Sequence, residues 1–130
     1  MLLADPVHAA SSLACLETAQ ADGELVICEM VYAELSGQFP AIAELNRFLS
    51  DARIGLLPSS RESLHAAGKL WRDYKRGRRE AGGRAQSHVI PDFLIGAHAK
   101  TQTSRLITRD RGFYRIYFRD VAIIEPGRPE

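Results

Sequence analysis

A chain of 130 residues, 45% hydrophobic and 25% charged, has the size and make-up of one globular domain with a real hydrophobic core. Its formal net charge of +1 supplies no global field to drive it onto nucleic acid. The longest apolar runs, FLIGA and LVIC among them, are far too short to span a bilayer, and no basic segment precedes an apolar stretch at the N-terminus. The expectation is therefore a cytoplasmic protein that makes no use of a membrane. Cys15 and Cys28 show neither CxxC nor His-Cys spacing and read as buried free thiols.

Helix and strand patterns alternate along the chain. HAASSLACLETAQA, residues 8–21, predicts a helix ended by Asp22-Gly23. ELVIC comes next as a short, continuously apolar strand of the kind buried in parallel sheets. EMVYAEL resumes a helical pattern, closed by Ser36-Gly37. Residues 40–51 begin at Pro40 and repeat apolar groups at Ile42, Leu45 and Leu49, one face of a helix. IGLLP is a second strand, stopped by Pro58. Ser59-x-x-Glu62 reads as a capping box for a helix with Leu64, Ala67, Trp71 and Tyr74 on one stripe. That helix is expected to dissolve into a basic loop, KRGRREAGGR, over residues 75–84. IPDFLIGAHA, residues 90–99, is apolar almost all round after its Asp92 and predicts a buried helix. SRLIT is a strand, RDRGFYRIYF a turn and short helix, and VAIIEP a last strand. The order is that of a three-layer α/β domain occupying residues 1–130. ELVIC, SRLIT and VAIIE are expected in one mainly parallel sheet.

In such a fold, sites gather at the carboxyl ends of strands and at the helix starts beside them. Asp92 falls in the first turn of the buried helix, Asp110 just past the LIT strand, and Glu34 in the helix after LVIC. Three carboxylates at such junctions could share a hard divalent cation such as magnesium, which takes a few carboxylates plus waters. Each also has a plain alternative. A helix dipole alone stabilises Asp92, Asp110 suits a turn before Arg111-Gly112, and Glu34 suits a solvated helix face. The histidines His8, His65, His88 and His98 lack ligand spacing, and Gly82-Gly83 belongs to no phosphate-binding loop motif. Arginine outnumbers lysine 14 to 3, and guanidinium forks suit phosphate, so Arg76, Arg78, Arg79 and Arg84 are candidate RNA-backbone contacts. A solvated mobile loop is the competing reading of that stretch.

LVICEMVYAEL, IPDFLIGAHA and LITRDRGFYRIYF together resemble the PIN-domain ribonucleases, and most closely the VapC-type toxins of bacterial toxin–antitoxin pairs. IPDFLIGAHA carries the most specific part of the likeness. The resemblance implies a Mg²⁺- or Mn²⁺-dependent endoribonuclease, held inactive by a cognate antitoxin and usually homodimeric. It matches Glu34, Asp92 and Asp110 to three of the family's four acidic positions, as catalytic and metal-holding groups. The start of the chain departs from that pattern. Family members open with a strand ending in Asp-Thr-Asn or Asp-Ser-Asn, and no such tripeptide occurs here. LLADPVHAASSLACLE resembles the family's loop into the second helix, a segment that lies beyond that block. The chain is therefore expected to begin late on the family pattern and to have little activity as it stands. In the other reading, MLLAD is a shortened first strand and Asp5 the remaining acid. Two rivals to the toxin are a catalytically impaired module that binds antitoxin or RNA, and a PIN nuclease of RNA processing that has no antitoxin.

Overall fold

The computed structural model describes residues 16–86, 89–108 and 111–126. The described residues divide into two compact units, the first comprising residues 16–58, 107–108 and 124–126. The first contains a helical segment over residues 16–22 (α1), strand β1 (Leu25–Ile27), helices α2 (Glu29–Ser36) and α3 (Ile42–Asp51), and strand β2 (Ile54–Leu56). The Gly23 N–H closes α1 on the Ala19 carbonyl at 3.1 Å, as the Asp-Gly stop predicts. β1 and β2 pair in parallel, with Leu25, Val26 and Ile27 opposite Ile54, Gly55 and Leu56. Their continuation is a 2.9 Å hydrogen bond from the Leu57 N–H to the Ile27 carbonyl. Beside them Leu35, Leu45 and Leu49 form a buried aliphatic cluster, joined by Ile27, Val31, Phe39 and Phe48. Leu45 and Leu49 recur at one-turn spacing and share that face, whereas Ile42 is 70% exposed because the stripe outruns the core beneath it.

The second unit is built on a long helix, α4 (Arg61–Glu80), and the buried helix α5 (Ile90–Gln102), with the short α6 (Arg111–Tyr117) after them. Strands β3 (Arg105–Ile107) and β4 (Ala122–Ile124) pair with each other; their first two residues belong to this unit, while the Thr108 N–H that donates to the Ile124 carbonyl at 3.0 Å belongs with Ile124 to the first. The α/β class and the parallel pairing agree with the sequence. The single sheet does not: among the described residues, the strands form two ladders of two. Each ladder strand is three residues long, shorter than the five-residue runs that suggested it.

Two local expectations also need correction. The α4 N-cap is Ser60, one residue later than the expected box. Its side chain accepts from the Ser63 N–H at 3.1 Å. The basic loop is largely helix, since α4 runs on through Lys75, Arg76, Arg78 and Arg79 to Glu80. Lysine and arginine are good helix formers, and cations in a last turn complement the helix dipole. The chain leaves the helix only at Gly82, whose φ of 80° suits glycine, and there the Gly83 N–H returns to the Arg78 carbonyl at 2.8 Å.

α4 and α5 lie antiparallel. At one end Ser63, 1% exposed, touches the Thr101 hydroxyl and donates to Gln102 Oε1 at 2.5 Å, while the Ser60 N–H donates to the same oxygen at 2.9 Å. At the other end Trp71 and Tyr74 of α4 meet Phe93 of α5, with ring centroids 6.3 and 5.6 Å apart. Phe93 is the hub of this core. Phe113 and Tyr117 present T-shaped contacts at 5.1 Å each, and Ala67, Ala97, Tyr114 and Phe118 complete the buried cluster. Gly96 admits the Phe118 ring so closely that a Cβ there would overlap it.

Candidate active site

Asp92 occupies the first turn of α5, directly between Pro91 and Phe93. Proline at the helix start fixes φ where an N–H has no helical partner, and the next side chain is the most heavily packed ring in its unit. Asp92 as a residue is half-buried. It therefore sits on a rigid mount, with the positive end of a helix dipole behind it. That arrangement stabilises a charged oxygen and restricts where it can point.

Glu34 stands differently. It is exposed in the last turn of α2, one residue before the buried Leu35, and its carbonyl accepts from the Gly37 N–H at 3.3 Å. It belongs to the first compact unit and Asp92 to the second. Asp110 and Asp5 lie outside the described residues. Among the described residues, no three His, Cys, Asp or Glu side chains form a cluster able to hold a metal ion. Cys28 caps α2 and is 2% exposed; burial pushes its thiol above the ordinary range, so it stays protonated. Cys15 lies outside the described residues, as do His8 and His88. His98 is buried on α5, in keeping with a packing role.

The candidate RNA contacts separate into two kinds. Arg76 and Arg79 are exposed helical residues, and Arg76 reaches Asp73 at 2.6 Å in an exposed pair one turn back. Arg78 turns the other way, donating from Nε to the Arg84 carbonyl at 3.1 Å and so fastening the turn after the helix. Lys75 lies 5.4 Å above the Trp71 ring. Arg61, Lys69 and Arg72, which no sequence motif singles out, are exposed on the same helix. Helical steps from Arg76, four residues back to Arg72 and three more to Lys69, are the signal that could find them. Among the described residues, no helix is long and apolar enough to cross a membrane.

Comparison with known proteins adds to this geometry. A solved structure described as VapBC2 from Rickettsia felis bound to a DNA fragment from their promoter has the same fold, with a TM-score of 0.62 at 17% identity. The match covers 93% of this chain and 89% of that one. No curated protein matches. The family model for the PIN domain matches residues 1–119, which takes in every element from α1 through α6 and both described acids, and the chain belongs to the PIN-domain family.

Proposed function

We propose that this chain is a metal-dependent endoribonuclease, the toxin component of a toxin–antitoxin pair. The observation that carries the reading is the mounting of Asp92, a half-buried residue set between Pro91 and the core ring Phe93 in the first turn of a helix, within a chain of the PIN-domain family. The likeness of fold to the VapBC2 complex supports a cognate antitoxin as partner. A second copy of the chain as a further partner and the cytoplasm as the place of action belong to the same proposal.

Asp92, Glu34 and Asp110 offer hard carboxylate oxygens, a donor set that fits Mg²⁺ or Mn²⁺. When bound, such a cation supplies an activated water and neutralises charge gathering on a phosphodiester. The chain's own contribution is placement. Pro91 and the packing of Phe93 keep Asp92 from wandering, and phosphoryl chemistry is sensitive to shifts of an ångström. Arg76, Arg78, Arg79 and Arg84 hold RNA by its backbone, positioning the strand without reading its bases.

The test is RNA incubated with the chain and with Asp92→Asn, Asp110→Asn, Glu34→Gln and Asp5→Asn variants, each with Mg²⁺ and with chelator. With Asp5 as the remaining acid, cleavage should require Mg²⁺ and fall at least roughly a hundredfold in Asp92→Asn, the scale that misplacing a reacting group costs. Loss in Asp5→Asn would identify that residue as the further acid. Full cleavage by Asp92→Asn would overturn the proposal. RNA or antitoxin binding with no cleavage by any form would establish the binding-module alternative.

A further inference from the structure

The outward side of α4 carries an uninterrupted line of cationic and donor groups. Arg61, His65, Lys69, Arg72, Arg76 and Arg79 are all exposed, and at 3.6 residues per turn they fall within one sector of about 80°. From Arg61 to Arg79 the line extends about 27 Å at the rise of an α-helix. The opposite side of the helix is the core side, with Ser63 and Ala67 buried and Trp71 and Tyr74 packed on Phe93. The acids of α4, Glu62, Asp73 and Glu80, fall along one border of the basic sector and not within it.

We propose that this face docks the backbone of a base-paired RNA stem. Charge complementarity selects a polyanion, because five cations lie along one straight rigid edge and, among the described residues, only Arg76 of the five forms an ion pair, the exposed one with Asp73, which phosphate can displace. The sector's one ring is His65, and the large rings of α4, Trp71 and Tyr74, face inward, so the line offers a row of phosphate contacts and little stacking surface for unpaired bases, which favours a duplex. Arg78 stands apart from the line, its Nε tied to the Arg84 backbone carbonyl. Because α4 and α5 are antiparallel, the Arg76–Arg79 end of the track shares an end of the helix pair with Asp92. A docked stem would thus lead toward the candidate cleavage position. The choice of RNA as the polyanion rests on the nuclease reading.

The experiment measures binding of the whole chain, in chelator, to an RNA hairpin with a stem longer than one helical turn. The other probes are unstructured oligouridine and duplex DNA of the stem sequence. Arg72→Gln with Arg76→Gln, and Lys69→Gln with Arg79→Gln, should each weaken hairpin binding roughly tenfold at physiological salt. Each should also lower the slope of log affinity against log salt by about 2, one per lost phosphate contact. Arg47→Gln, an exposed cation on α3, should change neither. In a cleavage assay the double variants should raise KM and leave kcat unchanged. An unchanged slope, tighter binding of oligouridine or of duplex DNA than of the hairpin, or loss of antitoxin binding with hairpin binding intact would overturn the track. Stem binding that depends on the track without any cleavage would count against the nuclease reading alone.

Discussion

Phe93 and Leu45 are each 1% exposed, yet they anchor cores of different kinds. Around Leu45 the buried material is leucine from two helices, beside a ladder of two short strands. Around Phe93 it is a set of interlocking rings drawn from α4, α5 and the residues of α6. The candidate acids inherit the difference. Asp92 adjoins the hub of the aromatic core, while Glu34 stands on the exposed side of a helix that buries only Leu35. A rigid mount suits a carboxylate whose position matters throughout a reaction; an exposed one leaves a group free to adjust.

The largest expected effect tests that contrast directly. Phe93→Ala should cost about 4 kcal/mol, since a large buried ring is deleted and its edge-to-face partners lose their contacts. Leu45→Ala should cost about 3 kcal/mol by the loss of one aliphatic side chain. Urea unfolding followed by circular dichroism measures both, and an equal or reversed order would break the comparison. Next in size, Gly96→Ala should destabilise by about 2 kcal/mol, because the Phe118 ring occupies the space of the new methyl group and the core around it has little room to give. Phe118→Leu in the same chain should recover part of that loss, which sharpens the assignment to overpacking. Thermal melts of the single and double variants check it.

The smallest effect concerns Cys28 in the aliphatic unit. Burial raises its thiol in the folded chain, so on titration upward the unfolded chain gives up its proton first. The contribution is fully present below the ordinary thiol range and is lost as pH rises through the raised folded value. The stability difference between the protein and Cys28→Ala should therefore shift against the cysteine form as pH rises through and above the ordinary thiol range. Denaturant titrations across that range check the sign, and a shift in favour of the cysteine form would contradict the buried, protonated thiol.

Much of the architecture was legible because apolar periodicity and turn residues act locally. Leu25-Val26-Ile27, the Leu45/Leu49 spacing and the Pro91 start of α5 each announce their element before any tertiary contact is known. Less legible were features decided by competition between neighbours. Ser59 and Ser60 offer the same cap chemistry, and the bond to the Ser63 N–H selects the second. Gly77 suggests a loop, but the cations around it favour helix and the glycine makes no close contact that would require a break. Leu64 fits the apolar stripe in spacing yet is 45% exposed, because it lies at the edge of the surface that α5 covers. Of the site, the mounting of Asp92 could be read from Pro91 and the apolar run behind it. The line along α4 is invisible while charge is counted along the sequence and emerges only when it is counted around the helix.

The buried hydroxyl of Ser63 also acts as a ruler. It engages Thr101 and Gln102 at one point along two long helices, so sliding α4 past α5 by a turn, about 5.4 Å, would leave buried polar groups without their partners. Hydrophobic surfaces tolerate such slippage; a pinned polar contact does not. The pin lies at the opposite end of the pair from Asp92, yet it sets the axial offset between that carboxylate and every cation on the outer face of α4. A small serine far from the candidate chemistry thereby fixes the distance scale on which phosphate contacts and the scissile position would have to agree.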